Sequence, residues 1–386
     1  MEVPLLDLKR RYNLIKEEID KSIEGVLNSQ HFILGEEVTK LETAIAKYCG
    51  TKHAVAVASG TDALLLSLRS LDIGKGDFVI TTPFTFFATA GAIHNVGAIP
   101  LFVDINPDTF NINPERVKVL LEGKTFHTKR LEIDLSRIKV IIPVHLYGQM
   151  ADMDSLIGIA DQYDLEIIED ACQAIGAEYK GKKVGSLGIS GCFSFFPTKN
   201  LGGYGDGGII TTNRDEIASE LRKLRVHGSE KDYHHLSVGY NSRLDTIQAA
   251  ILLAELPYLD DWNKKREKNA QIYFGLLKDI EGIECPYIAT ERKHIFHQYT
   301  IRVNNNKRDK LVNFLTKKGV GTKIYYPLPL HLQDCFNYLG YKKEDFPHSE
   351  KAAEEVLSLP IFPELTDEEI EYTCTSIKSF FGIENN

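Results

Sequence analysis

GCFSFFPTKNLGGYGDGG, residues 191–208, holds a single lysine between two contrasting stretches. Before Lys199 runs GCFSFF (191–196), apolar and aromatic, which reads as a buried strand. After it come five glycines within residues 202–208. A further apolar run, GGIITTN (207–213), starts on the last two of them and reads as another strand. The lysine therefore sits at a strand end, on a turn whose glycines let the backbone approach a bound group closely.

Short apolar strands of the same kind recur upstream: HAVAVAS (53–59), DFVITTP (77–83), AIPLFVDI (98–105), KVIIPVHLYG (139–148) and LEIIED (165–170). Between them lie helical patterns such as SGTDALLLSLRSL, FTFFATAGAIHNV and ADMDSLIGIADQYD. Strands alternating with helices imply an α/β fold with a mostly parallel sheet covered on both faces. In such sheets ligands bind beyond the carboxyl ends of the strands. Two helices precede the first strand, one over 12–28 with Leu14, Ile15, Ile19, Ile23 and Val26 on one stripe, the other over 36–48, ending at Gly50. RLDTIQAAILLAELPYLDDW (243–262) reads as one long helix leading out of the sheet domain. Beyond it come charged helices, a strand at HQYTIRV (297–303) and a helix over 306–318. The division expected is a large domain over 1–256 and a smaller α+β domain over 257–386, with 121–138 as an excursion of hairpin form between two elements of the sheet.

The chain has 386 residues, 43% hydrophobic and 26% charged, a profile that excludes global disorder. Its 45 basic and 54 acidic residues give a net charge of −9, which argues against a nucleic-acid surface while leaving room for a local basic cleft. The six cysteines show no metal-ligand spacing, so no metal is expected, and a disulfide framework is improbable in so long a chain. A reducing cytoplasm suits them. MEVPLLDLKRRY lacks the order of a signal peptide, and no apolar run is long enough to cross a bilayer.

Three clusters carry chemistry. A lysine at a turn is ordinarily a solvated one, but Lys199 follows a buried strand, and a desolvated amine loses its proton more readily, as imine chemistry with a carbonyl requires. EDACQA (169–174) puts two acids at the end of a strand. Asp170 can cap a helix there, or its carboxylate can pair with the ring nitrogen of pyridoxal phosphate, whose protonated ring is the better electron sink. Ser59, Gly60 and Thr61 lie where a strand hands over to a helix, a ready seat for a phosphate. Ser194 can add a hydroxyl to that seat. Phe86 can lie against a flat cofactor or pack in the core. The fingerprint G-x-G-x-x-G is absent from SGTDAL, so a nicotinamide dehydrogenase has little support.

Taken together, LLDLKRRY, FILGEEV, SGTDAL, PFTFFATA, IIPVHLYGQ, IEDACQAIGA, SFFPTKNLGGYGDGG, GYNSRLDTIQAA and SLPIFPEL resemble the DegT/DnrJ/EryC1/StrS family of sugar aminotransferases, fold-type I pyridoxal-phosphate enzymes, over essentially the whole chain. YHHLSVGYNSRLDTIQAAILL is most similar to members that aminate C3 of UDP-linked 3-oxo N-acetylhexosaminuronates. The resemblance implies that Lys199 binds pyridoxal 5'-phosphate as an internal aldimine, Asp170 meets the pyridine nitrogen and Gln173 lies by the phenolic oxygen. It implies ring stacking by Phe86 and phosphate contacts from Gly60, Thr61 and Ser194, with Asn241 reaching the phosphate from a neighbouring subunit. An obligate homodimer with composite sites follows. Arg243 is the implied clamp on the anionic sugar nucleotide, with Tyr326 and His331 facing the sugar. Relatives that remove a hydroxyl carry histidine in place of the lysine, so Lys199 points to transamination. The implied reaction runs from glutamate, through a pyridoxamine 5'-phosphate form, to a UDP-linked 2-acetamido-2-deoxy-3-oxo sugar of glucuronate or glucose type, for a cell-surface polysaccharide or lipid A. Amination at C4 of a UDP- or dTDP-linked 4-oxo sugar is the enzymatic alternative, and a non-catalytic regulator or scaffold of the same fold is the alternative of another class.

Overall fold

The computed structural model describes residues 1–125, 133–231 and 233–383. The middle of the 121–138 excursion, residues 126–132, lies outside them. Seven strands form the main sheet: β1 (His53–Val57), β2 (Phe78–Thr81), β3 (Ile99–Phe102), β4 (Ile138–Ile141), β5 (Glu166–Asp170), β6 (Ser190–Ser194) and β7 (Gly208–Thr212), in the order β1–β7–β6–β5–β4–β2–β3.

The strands are apolar at most of their central positions because both faces of the sheet are buried. Ala54 and Ala56 of β1, with Ile167 of β5 and Phe193 of β6, pack on one face beneath the helices Glu36–Cys49 and Met153–Tyr163. The alternate residues Val55, Val57, Ile168 and Cys192 pack on the other, against Gly60–Arg69, Ala88–Asn95 and Asp215–Leu224. Period-two alternation thus sorts one strand into two cores.

The pairs β2–β3, β2–β4, β4–β5 and β5–β6 are parallel. Only β7 runs against its neighbours β6 and β1. An antiparallel neighbour needs no crossover helix, so the chain leaves β6, turns over the carboxyl edge of the sheet through residues 195–207 and returns. Lys199 rides on that turn. Gly208 stands opposite both Ser194 and Val57, which brings the ends of β1 and β6 together above it.

A second core gathers Ala270, Tyr273, Tyr299, Ile301, Leu311, Leu357 and Ile377 around a small antiparallel sheet of Ile283–Glu284, Tyr299–Val303 and Val356–Leu359. The first residues of the chain join this core: Val3 pairs with Val320 and is buried there.

Two helices differ from their expected extents. The first helical segment starts earlier, at Leu8, because Asp7 caps the N–H groups of Lys9 and Arg10, and it breaks at Ile15 into Leu8–Leu14 and Lys16–Ser29. The long helix expected over 243–262 is Thr246–Glu255 followed by Leu259–Leu277, with a 3-10 turn at Leu256–Tyr258 around Pro257, which has no N–H to continue the ladder. Among the described residues no helix is long and apolar enough to cross a membrane.

Candidate active site

The turn carrying Lys199 is packed rather than floppy. None of its five glycines has a positive φ. A Cβ on Gly202 would lie 2.6 Å from the Pro197 carbonyl oxygen, one on Gly203 2.7 Å from the Gln248 amide oxygen, and one on Gly207 2.8 Å from Leu244. These glycines therefore admit the close approach of protein to protein, not the approach to a bound group that the sequence suggested. The Lys199 N–H donates to the Phe196 carbonyl at 2.8 Å. Burial pulls the amine below the ordinary lysine range, against the opposing pull of Cys172 and Asp170.

The two acids at the end of β5 point to opposite faces, as neighbours on a strand must. Asp170 is buried, with Oδ2 accepting from the Thr89 hydroxyl at 2.8 Å and Oδ1 from the Cys172 N–H at 3.2 Å. No helix starts there, so the capping alternative fails. Glu169 is fully buried on the other face. It accepts from the N–H groups of Gly185, Leu187 and Gly188 at 2.7–2.9 Å, and from His145 Nε2 at 3.0 Å. His145 Nδ1 accepts the Ala151 N–H, which leaves the ring proton on Nε2, facing the carboxylate. Burial raises the Glu169 pKa, but His145 and the amides of Gly188 and Gly185 outweigh it and hold the carboxyl below its ordinary 4.5.

That balance has a sign. A carboxyl lowered in the folded state stabilises the protein above the unfolded value and loses its contribution as pH falls through the folded one. Glu169→Gln is expected to cost about 2–3 kcal/mol at pH 7. It should also flatten the decline in stability below about pH 4.5. Urea midpoints of both proteins across pH 3–7 check this; parallel curves would show that the carboxylate charge plays no part.

Beyond β1, Ser59 caps the helix Gly60–Arg69 by accepting the Asp62 N–H at 3.1 Å. Among the described residues no acceptor meets the N–H of Gly60 or Thr61. A Cβ on Gly60 would lie 2.6 Å from Ser194 Cβ and 3.0 Å from Cys172 Sγ, so Gly60, Ser194 and Cys172 are drawn together because residue 60 has no side chain. Free amides at a helix start beside a hydroxyl are suited to an anion.

Phe86 settles its own alternatives. Phe84 is fully buried, whereas Phe86 is 57% exposed and meets the Tyr326 ring at 6.3 Å. Gln173 accepts the Tyr147 N–H at 2.9 Å and donates its amide to the Tyr326 hydroxyl at 2.9 Å. Burial drives the Tyr326 phenol upward, with Asp170 adding to the shift, so Tyr326 belongs to this cluster. Ser242 is buried and donates to Asp62 at 2.7 Å. It thereby fixes its neighbours Asn241, which is exposed, and Arg243, which is part-buried and has no hydrogen-bond or ion-pair partner among the described residues. His331 is placed differently from the sequence reading. Its side chain turns inward, with Nε2 on Glu350 at 3.0 Å and its ring against Phe346, and it makes no contact with the cluster around Lys199.

Several contributors were missed. Thr89 bonds Asp170 from one turn into PFTFFATA. Asn200, next to the lysine, donates to Asn263 at 2.7 Å and meets His297 Nδ1 at 3.2 Å. These contacts span up to 97 residues, a separation that motif spacing does not record.

Comparison with known proteins follows from this geometry. The DegT/DnrJ/EryC1/StrS aminotransferase family model matches residues 13–378. The chain is 51% identical over 383 residues to a "Pleiotropic regulatory protein" of Geobacillus stearothermophilus, covering 99% of each. It is 43% identical over 376 residues to the UDP-N-acetyl-3-dehydro-alpha-D-glucosamine 3-aminotransferase of Acidithiobacillus ferrooxidans, covering 97% of each. Among solved structures it is similar to S. venezuelae DesV in complex with a ketimine intermediate, with a TM-score of 0.93, 39% identity and 100% of both chains covered.

Proposed function

The chain belongs to the DegT/DnrJ/EryC1/StrS aminotransferase family, and from that premise we propose that it transfers the amino group of glutamate to C3 of a UDP-linked 2-acetamido-2-deoxy-3-oxo sugar of glucose or glucuronate type. It is a sugar aminotransferase, and the family depends on pyridoxal phosphate. The observation that carries the reading is the desolvated amine of Lys199 beside the buried carboxylate of Asp170.

The residues present fit that cofactor. A buried acid with one face free of protein donors, a lowered lysine, two unpaired amides beside a serine and an exposed aromatic ring are the groups it needs. Lys199, Asp170, Ser194, Gly60, Thr61 and Phe86 would hold it, with Gln173 beside them and Asn241 supplied by a second copy of the chain. When bound, pyridoxal phosphate supplies the electron sink that lets a carbon next to nitrogen give up its proton.

The protein groups do the rest. Nζ of Lys199, with a larger neutral fraction than a solvated lysine, takes a proton from the donor's α-carbon and returns it elsewhere. Asp170, aimed by Thr89, stabilises positive charge across from it. Tyr326, its phenol kept neutral by burial, donates or accepts a hydrogen bond at the mouth. Arg243, without a partner among the described residues, receives the anionic part of the sugar nucleotide. One lysine serving two half-reactions implies ping-pong kinetics.

A second reading is favoured by the relative described as a regulatory protein: a cofactor-binding chain that does not turn over. One experiment separates the two. The cofactor-loaded protein is given glutamate and then a panel of UDP- and dTDP-linked 3-oxo and 4-oxo sugars. The expected result is 2-oxoglutarate release, followed by return of the original spectrum with a UDP-linked 3-oxo sugar. Return only with a 4-oxo sugar would move the amination to C4, and no 2-oxoglutarate at all would favour the regulator.

A further inference from the structure

We propose that Arg11, held by Glu255, is a positioning residue for Lys199. This rests on the reading of Lys199 as the lysine that bonds the cofactor.

Arg11 lies on the helix Leu8–Leu14, far from the lysine in sequence, yet its guanidinium donates to the Lys199 carbonyl at 3.3 Å and to the Gly202 carbonyl at 3.2 Å. It is 6% exposed. Its charge is met by Glu255, fully buried, at 3.1 Å, and its plane lies 5.0 Å from the Trp262 ring centre. The two carbonyls it bridges open and close one turn of the lysine loop. That turn is already tight, since a Cβ on Gly202 would collide with the Pro197 carbonyl. With its N–H on Phe196 and its carbonyl on Arg11, Lys199 has both backbone groups fixed, so Nζ swings from a fixed Cα. Asn200 holds the opposite flank through Asn263 and the Ile295 carbonyl.

A purely structural plug is the competing explanation. Against it stands the cost of the pair. Neither oxygen of Glu255 finds a well-aligned donor, and burial pushes its carboxyl up to about 7 even beside Arg11. A buried ion pair of this kind is commonly matched or bettered in stability by apolar side chains of similar volume. What apolar side chains cannot supply is directed N–H donors to two backbone carbonyls.

The test follows from that difference. Apoprotein is mixed with pyridoxal phosphate, and the rate at which the Lys199 amine condenses with the aldehyde, forming C=N and releasing water, is read from absorbance, with a thermal melt on the same sample. R11M/E255M, which keeps volume and removes the donors, should melt close to wild type and condense about tenfold or more slowly. R11K keeps the charge but replaces the planar fork with a single ammonium, so it should condense at a rate between those of wild type and the double variant. If R11M/E255M does not fold, R11M/E255Q takes its place. A wild-type rate in the donor-free variant overturns the proposal, and so does an R11K rate as slow as that variant's. Lys199→Ala is the control: if it gives the same absorbance change as wild type, the reading of Lys199 fails, whereas a silent control with indistinguishable Arg11 variants removes only the positioning role.

Discussion

Lys199→Ala is expected to lower amino transfer by about 10⁴-fold or more, because one side chain supplies both the covalent attachment and the proton transfer of each half-reaction. The fold should not suffer. Lys199 lies on a loop between β6 and β7, and its backbone contacts, to Phe196 and Arg11, do not involve its side chain. The variant should therefore melt like wild type while releasing no measurable 2-oxoglutarate from glutamate. In the proposed site pyridoxal phosphate would still bind non-covalently, through the amides of Gly60 and Thr61 and the Ser194 hydroxyl. Activity within about tenfold of wild type would mean that another amine does this work.

Asp170→Asn should be the next most damaging change, about 10²–10⁴-fold in the half-reaction with glutamate. The substitution preserves shape and can keep the Thr89 hydrogen bond, so it removes the charge and little else. Among the described residues Asp170 accepts hydrogen bonds from the Thr89 hydroxyl and the Cys172 N–H, which leaves lone pairs to face a ring nitrogen. An amide there cannot hold that nitrogen protonated, and the electron sink weakens. The lysine should respond as well. Asp170 is one of two groups raising the Lys199 pKa against burial, so its neutralisation moves that pKa further down. Single-turnover kinetics with glutamate measures the first effect, and the pH dependence of cofactor condensation measures the second. Loss of less than about tenfold would place the partner of the ring elsewhere.

The residues that made the sheet legible are those whose neighbours in sequence carry the signal. HAVAV and EIIED read as buried strands because each holds a short run of consecutive apolar residues, AVAV and II, and the helices between them follow from period and caps. The orientation of β7 was not legible: GIITT is buried on both faces, and a strand in that setting reads the same in either direction. Gly60 was read as part of a phosphate seat, and the structure adds a close approach to Ser194 and Cys172 that the motif did not record, whereas the glycines at 202, 203 and 207 press against protein groups. Pro257 marked a break that the apolar period around it concealed. Contacts made across the fold left no trace at all. Arg11 reaches a loop 188 residues away, and Val3 pairs with Val320. His331 sits in a motif that suggests a sugar contact, yet its ring follows Glu350 inward, since a buried imidazole is stabilised by a carboxylate partner.

The most direct test of the site is chemical. The protein loaded with pyridoxal phosphate is reduced with borohydride, digested and mapped by mass spectrometry. A stable pyridoxyl group on the peptide containing Lys199, absent from Lys199→Ala, is the expected result. A label on any other lysine, or none on a protein that has bound the cofactor, would contradict the placement of the reactive amine above the carboxyl edge of the sheet.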